Sequence, residues 1–298
     1  MMFFTYTFIL QNHLIITAYV ILTLSFIAMY IFKLNIVRLG FCVGALLFGF
    51  IAGQLELLGI GLLSVFGVLF YFAYHAKSVV LRKIFFLIVL LSCFGLVMTP
   101  VPGVHHWDIL KRAYLTDDAI PYSMFFNYEK SLIGLFFIWF SAYSLANGGK
   151  WKPVLKTGVL CGIAAIVILL PLSLLLGYVK FELKLSTLFY IWALNNLIFV
   201  SIAEEALFRG MIQQTLSQWW QNYKIGKWIA LIIASILFGA AHFKGGYKYM
   251  LLAGVAGIVY GYAYMKTKKI ESSVLTHFMV NATHFVFFTY PALASAFE

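Results

Sequence analysis

Two carboxylates and a guanidinium lie inside an apolar run, Ile198-Phe-Val-Ser-Ile-Ala-Glu204-Glu205-Ala-Leu-Phe-Arg209-Gly210. Each such charge costs at least ~2.5 kcal/mol at mid-bilayer on insertion scales, so an ionisable residue there is a functional candidate by default. Glu205 and Arg209 are four residues apart on one helix face and can pair. Glu204 points about 100° away and faces something else. The plain structural reading is an ion pair that locks two helices, with a spare glutamate at headgroup level.

His242 closes the segment Phe238-Gly-Ala-Ala-His242, near the end of the following apolar run. A turn around residues 221–226 separates the two runs. At 1.5 Å per residue, Glu204 and His242 both stand ~25–29 Å from that turn, so an antiparallel hairpin brings them to one level. A satisfied core histidine is the alternative. His277, Asn281 and His284 follow at i, i+4 and i+7, near one stripe of the last apolar run. A polar stripe on a membrane helix faces the bundle or a wet cavity, and its bland form is interhelical packing glue. Counted from its own turn, His277 comes out nearer the cytoplasmic end than Glu204, and His284 reads as structural. Glutamate and histidine at such depth serve proton relays, and a Glu/His/His set can bind zinc.

The elements that must position these residues are helices. The chain has 298 residues, 63% of them hydrophobic and 10% charged, with a mean hydropathy of +0.95. A soluble domain is roughly half apolar and a quarter charged. Lipid offers the backbone no water, so spanning segments must be helices or a closed barrel. Uninterrupted runs of Leu, Ile, Phe and Val replace the ~10-residue alternation of barrel strands. The fold class is therefore all-α, a polytopic transmembrane bundle of about ten spans, near 8–32, 38–54, 56–76, 84–100, 131–147, 156–179, 187–208, 227–243, 249–265 and 271–290. The first run lacks a basic flank and a small-residue cleavage site and reads as a retained helix. Residues 101–130 form an extramembrane loop, read as a substrate gate or simply a long loop. They divide an N-terminal bundle (residues 1–130, loop included) from residues 131–298. Small residues Gly254, Gly257 and Gly261 suit close helix packing.

Charge sets topology and partners. The formal net charge is +11, and its lysines and arginines punctuate apolar runs, which points to anionic membrane lipid rather than nucleic acid. With alternating spans, one face collects thirteen basic residues against the single acid Glu271, and the other seven basic residues with most of the acids. The first face is then cytoplasmic and both termini lie outside. Cys42, Cys93 and Cys161 sit inside apolar runs without a CxxC pair, which argues against a disulfide framework.

Glu204-Glu205-x-x-x-Arg209, Phe238-x-x-x-His242 and His277-x-x-x-Asn281, in this order and each on its own apolar run, resemble the three motifs of the CPBP family. This family of CAAX proteases and bacteriocin-processing or immunity proteins includes the type II CAAX prenyl endopeptidase and many bacterial members. The resemblance covers about residues 188–290 and leaves the first six runs unaccounted for. It implies an intramembrane glutamic endopeptidase that needs no metal or other cofactor and acts on a peptide or membrane-protein substrate. Glu204 would be the general base that activates water and His242 would hold that water. His277 and Asn281 would stabilise the oxyanion, and Glu205 and Arg209 would order the site or contact substrate. The expected location is a multi-pass position in a bacterial cytoplasmic membrane. Other intramembrane protease signatures, HExxH, GxGD with a second Asp, and GxSxG, are missing from the sequence. Alternatives are a zinc-dependent peptidase using the same residues, a non-catalytic scaffold or immunity protein bound to a membrane partner, and a proton-coupled carrier. The last lacks a visible inverted repeat.

Overall fold

The computed structural model describes residues 6–184 and 186–297. Among them ten helices run in order: α1 (Tyr6–Ile31), α2 (Asn35–Ile51), α3 (Leu57–His75), α4 (Val79–Met98), α5 (Tyr128–Phe140), α6 (Trp151–Leu175), α7 (Leu188–Trp219), α8 (Gly226–Ala241), α9 (Gly246–Thr267) and α10 (Ile270–Phe287). They correspond one to one with the ten apolar runs, and the protein is an integral membrane helical bundle. By length and apolarity α1, α3, α4, α6 and α7 can each cross a bilayer; α8 and α9, bent by 56° around His242, pass that test only as a pair, as a broken span or a re-entrant loop does. The expected ten spans are thus ten helices of unequal reach. With 17 residues in α2 and 13 in α5, both fall short of the ~20 residues a bilayer core demands. Val80, Leu91 and Val167 are each more than half exposed, as side chains facing lipid tails are.

The chain divides into two compact units, residues 1–108 with 125–148, and residues 109–124 with 149–298. The division puts α5 in the first unit. The physical cause is that α5 is buried along nearly its whole length against α1, α3 and α4. Within this unit Arg38 is buried and caps the end of α1, donating to the carbonyls of Phe32 at 2.7 Å and Met29 at 2.6 Å. Carbonyls at a helix C-terminus lack intrahelical partners and carry partial negative charge, so a guanidinium there is stabilising.

The 101–130 segment is more ordered than a plain loop. It contains two short paired strands, β1 (Trp107–Ala113) and β2 (Tyr122–Phe126). Its histidines have carboxylate partners: His105 Nε2 lies 2.9 Å from Glu56 and His106 Nε2 2.7 Å from Glu129. Glu129 sits in the first turn of α5, where the helix dipole favours an anion. Its carboxylate holds the His106 imidazole above the usual histidine range. A folded-state value above the unfolded ~6.5 makes this contribution complete below that pH and lost as pH rises through the raised value. We expect thermal stability in detergent to fall as pH rises above about 6.5, by a step of no more than about 1 kcal/mol. The step should shrink in His106→Gln; an unchanged pH slope in that variant would remove the pair as its source.

In the second unit, α6 packs on α9 and α10, α8 packs on α9, and α7 lies against α8 and α10. Glycines permit these approaches. A Cβ on Gly257 would sit 3.0 Å from the Ser235 Cα on α8, and one on Gly239 would meet the Met250 carbonyl at 2.7 Å. On α6, a Cβ at Gly158 would stand 3.0 Å from the Ser272 carbonyl of α10. Gly257→Leu should therefore destabilise by about 1–3 kcal/mol, the usual range for overpacking, and drive α8 away from α9. A melting temperature equal to wild type would contradict that packing.

Candidate active site

Four helices of the second unit supply the site. The rod α7 is α-helical at Leu188–Leu194, winds as a π-helix over Asn195–Ser201, returns to α over Ile202–Glu205, and is π again over Ala206–Gln213. The two glutamates thus sit on one short α segment between two wider turns. Such π segments are rare and recur at functional sites, because they redirect side chains without ending the helix.

Glu205 and Arg209 are fully buried and paired, with Arg209 Nε 3.0 Å from the Glu205 carboxylate. The guanidinium lies over the ring of Phe238, 4.5 Å from its centroid, with Tyr260 at 5.9 Å. Aromatic faces there stand in for further acceptors, since neither Nη atom has a hydrogen-bond partner. The other Glu205 oxygen accepts from His277 Nδ1 at 3.0 Å. His277 therefore belongs to a three-member cluster, Arg209–Glu205–His277, which the sequence did not disclose.

Glu204 points out of this cluster, half-buried, with its carboxylate 4.0 Å from His242 Nε2. The expected match in height between these residues is met. His242 ends α8 at the bend, and its Nδ1 donates to the Phe238 carbonyl at 2.7 Å. A carbonyl only accepts, so the Nδ1 proton is fixed and the neutral ring turns an unprotonated Nε2 toward Glu204. Rings hold both histidines: Tyr249 meets His242 edge-on at 5.2 Å, and Tyr260 stacks on His277 at 4.7 Å.

Asn281 lies one turn beyond His277 on α10. Its amide nitrogen donates to Asn196 Oδ1 at 3.3 Å, which also accepts from Ser201. Asn196 escaped the sequence reading, although an Asn195-Asn196 pair in the apolar run that carries Glu204 was a visible signal. His284 donates to the Thr289 carbonyl at 3.1 Å, the structural part expected of it. A cavity of about 80 Å³ is lined by His242, Tyr249, Tyr260, His277, Asn281 and His284. Water takes about 30 Å³ each in the liquid, so the space admits a few waters or a carbonyl-sized group. Among the described residues, no three His, Cys, Asp or Glu side chains are grouped closely enough to hold a metal ion.

A carboxylate facing an imidazole whose tautomer is fixed, beside a second histidine held by a buried ion pair, is an arrangement for moving protons within a membrane protein's helical core. The comparison with known families is specific: residues 186–283 match the family model described as Type II CAAX prenyl endopeptidase Rce1-like. The match contains Glu204, Glu205, Arg209, His242, His277 and Asn281, and spans about a third of the chain. The resemblance read from the three motifs is thereby shown for this segment, and it supports a membrane endopeptidase. Helices α1–α6 lie outside it. No curated protein and no solved structure matches the chain.

Proposed function

We propose that the protein is an intramembrane glutamic endopeptidase that cuts a peptide bond in or beside the membrane without a metal. The observation that carries this reading is the Glu204–His242 pair: a carboxylate oxygen 4.0 Å from Nε2 of an imidazole whose Nδ1 is spent on the Phe238 carbonyl. A water between them donates one proton to each and directs a lone pair at a carbonyl carbon. Glu204 takes the proton as the bond to carbon forms, then returns it to the leaving amine, and His242 holds the water.

His277 and Asn281 are the oxyanion donors in this reading. Asn281 spends one amide proton on Asn196 and keeps the other. His277 spends its Nδ1 proton on Glu205, so donation from Nε2 requires the doubly protonated ring. Glu205 and Arg209, fully buried, are positioning residues that set the His277 ring. We place the enzyme in a bacterial cytoplasmic membrane, on the strength of its resemblance to a family with many bacterial members.

The test is hydrolysis of a quenched peptide library by the purified full chain in detergent. Wild type should cleave, and Glu204→Ala and His242→Ala should not. Cleavage unchanged in both variants would overturn the assignment. Activity in cells that survives Glu204→Gln but not truncation would favour a peptide-binding scaffold.

A further inference from the structure

A wide cavity lies in the first unit, remote in sequence from the matched segment. It measures about 1050 Å³ and opens between α2, α3 and α5. Along α2 its lining runs from Asn35 to Leu46, and along α3 from His75 to Ser64. At 1.5 Å per residue each stretch is about 16 Å long, close to one leaflet of a ~30 Å hydrocarbon core. The walls are apolar and aromatic, and Val68 is more than half exposed along them.

One end is different. Lys33 Nζ and Arg38 Nη2 both donate to the Ala146 carbonyl, at 2.6 and 3.2 Å. Arg38 Nη1 bonds to Asn147 Oδ1 at 3.0 Å. Two cations thus converge on one neutral oxygen. Among the described residues no Asp or Glu pairs with either, and none lines the cavity. Arg38 is buried, whereas Lys33 is exposed at the mouth. Both stand at helix ends, in the α1–α2 turn and the first turn of α2.

We propose that this cavity is a binding site for an anionic phospholipid. Its phosphate sits against Lys33 in the field of buried Arg38, and an acyl chain lies along the α2–α3 groove. The apolar depth of one leaflet selects a lipid over a soluble phosphate, and the uncompensated charge selects an anionic headgroup over a zwitterionic one. A basic site between membrane helices near the headgroups has that chemistry.

The experiment is native mass spectrometry of the full chain in detergent with equal phosphatidylglycerol and phosphatidylcholine. Wild type should retain phosphatidylglycerol about fivefold better, the effect of one lysine near a lipid surface. Lys33→Gln should bring the ratio near one, and Lys33→Arg should restore it. Val68→Trp, which fills the groove and leaves both cations, should lower retention of phosphatidylglycerol. If Lys33→Gln unfolds, Val68→Trp decides alone. Equal retention of the two lipids by wild type, a preference that survives Lys33→Gln, or full retention by Val68→Trp would overturn the proposal. Displacement of lipid by millimolar inorganic phosphate would reassign the site to soluble phosphate.

Discussion

Glu204→Gln should lower peptide cleavage by about 10²–10⁴-fold, the range a positioned general base contributes, while leaving the fold intact. The substitution keeps the size of the side chain and removes only its ability to accept a proton from water. Glu204 is half-buried and stands outside the Arg209–Glu205–His277 cluster. Losing its charge therefore strands no buried partner, and stability should change by no more than about 0.5 kcal/mol. His242→Gln should act on the same step. The two losses should not add, because both groups hold one water. A double variant slower than either single one by the product of their separate losses would mean that they act on different steps.

The largest effect on stability should come from Arg209→Met. Arg209 and Glu205 have no exposed surface, and removing the guanidinium leaves a carboxylate with only His277 in the bundle core. Breaking one partner from a buried pair costs about 3–5 kcal/mol. Replacing both, in Glu205→Gln with Arg209→Met, removes the uncompensated charge and should recover much of that loss. The recovery is specific to an ion pair, since two independent packing defects would add. Activity should not recover with stability, because His277 would still lack its carboxylate. Thermal unfolding of the four proteins in one detergent, with cleavage measured in parallel, separates the effects. A double variant no more stable than Arg209→Met would contradict the pairing.

Much of this arrangement is legible in the sequence because bilayers make helix periodicity and charge expensive to vary. The ten apolar runs are the ten helices, the i, i+4 pair of Glu205 and Arg209 is formed, and counting residues from one turn puts Glu204 beside His242. What stays hidden depends on rotation and on winding. Spacing cannot tell that His277 faces Glu205 rather than Glu204, because packing of α10 on α6 and α7 sets its rotation. The π segments around Glu204 obey no apolar period, and Asn196 became meaningful only when its partner Asn281 came within 3.3 Å. The strands in the 101–130 segment are short, and residues such as Asp108, Lys111 and Arg112 in β1 mask their alternation. Helix α6, outside the motifs, contributes the Gly158 carbonyl that Thr276 bonds one residue before His277, a long-range contact no local pattern announces.

The central claim is that a glutamate activates water directly, with neither a metal nor a covalent intermediate. It is tested by a single turnover of a cleaved peptide in ¹⁸O-water with excess EDTA. The label should enter the new carboxyl terminus of the product, with none in the protein, at the rate seen without chelator. Label in the Glu204 side chain would make that carboxylate a nucleophile, and cleavage lost with EDTA and restored by zinc would move Glu204, His242 and His277 into a metal site.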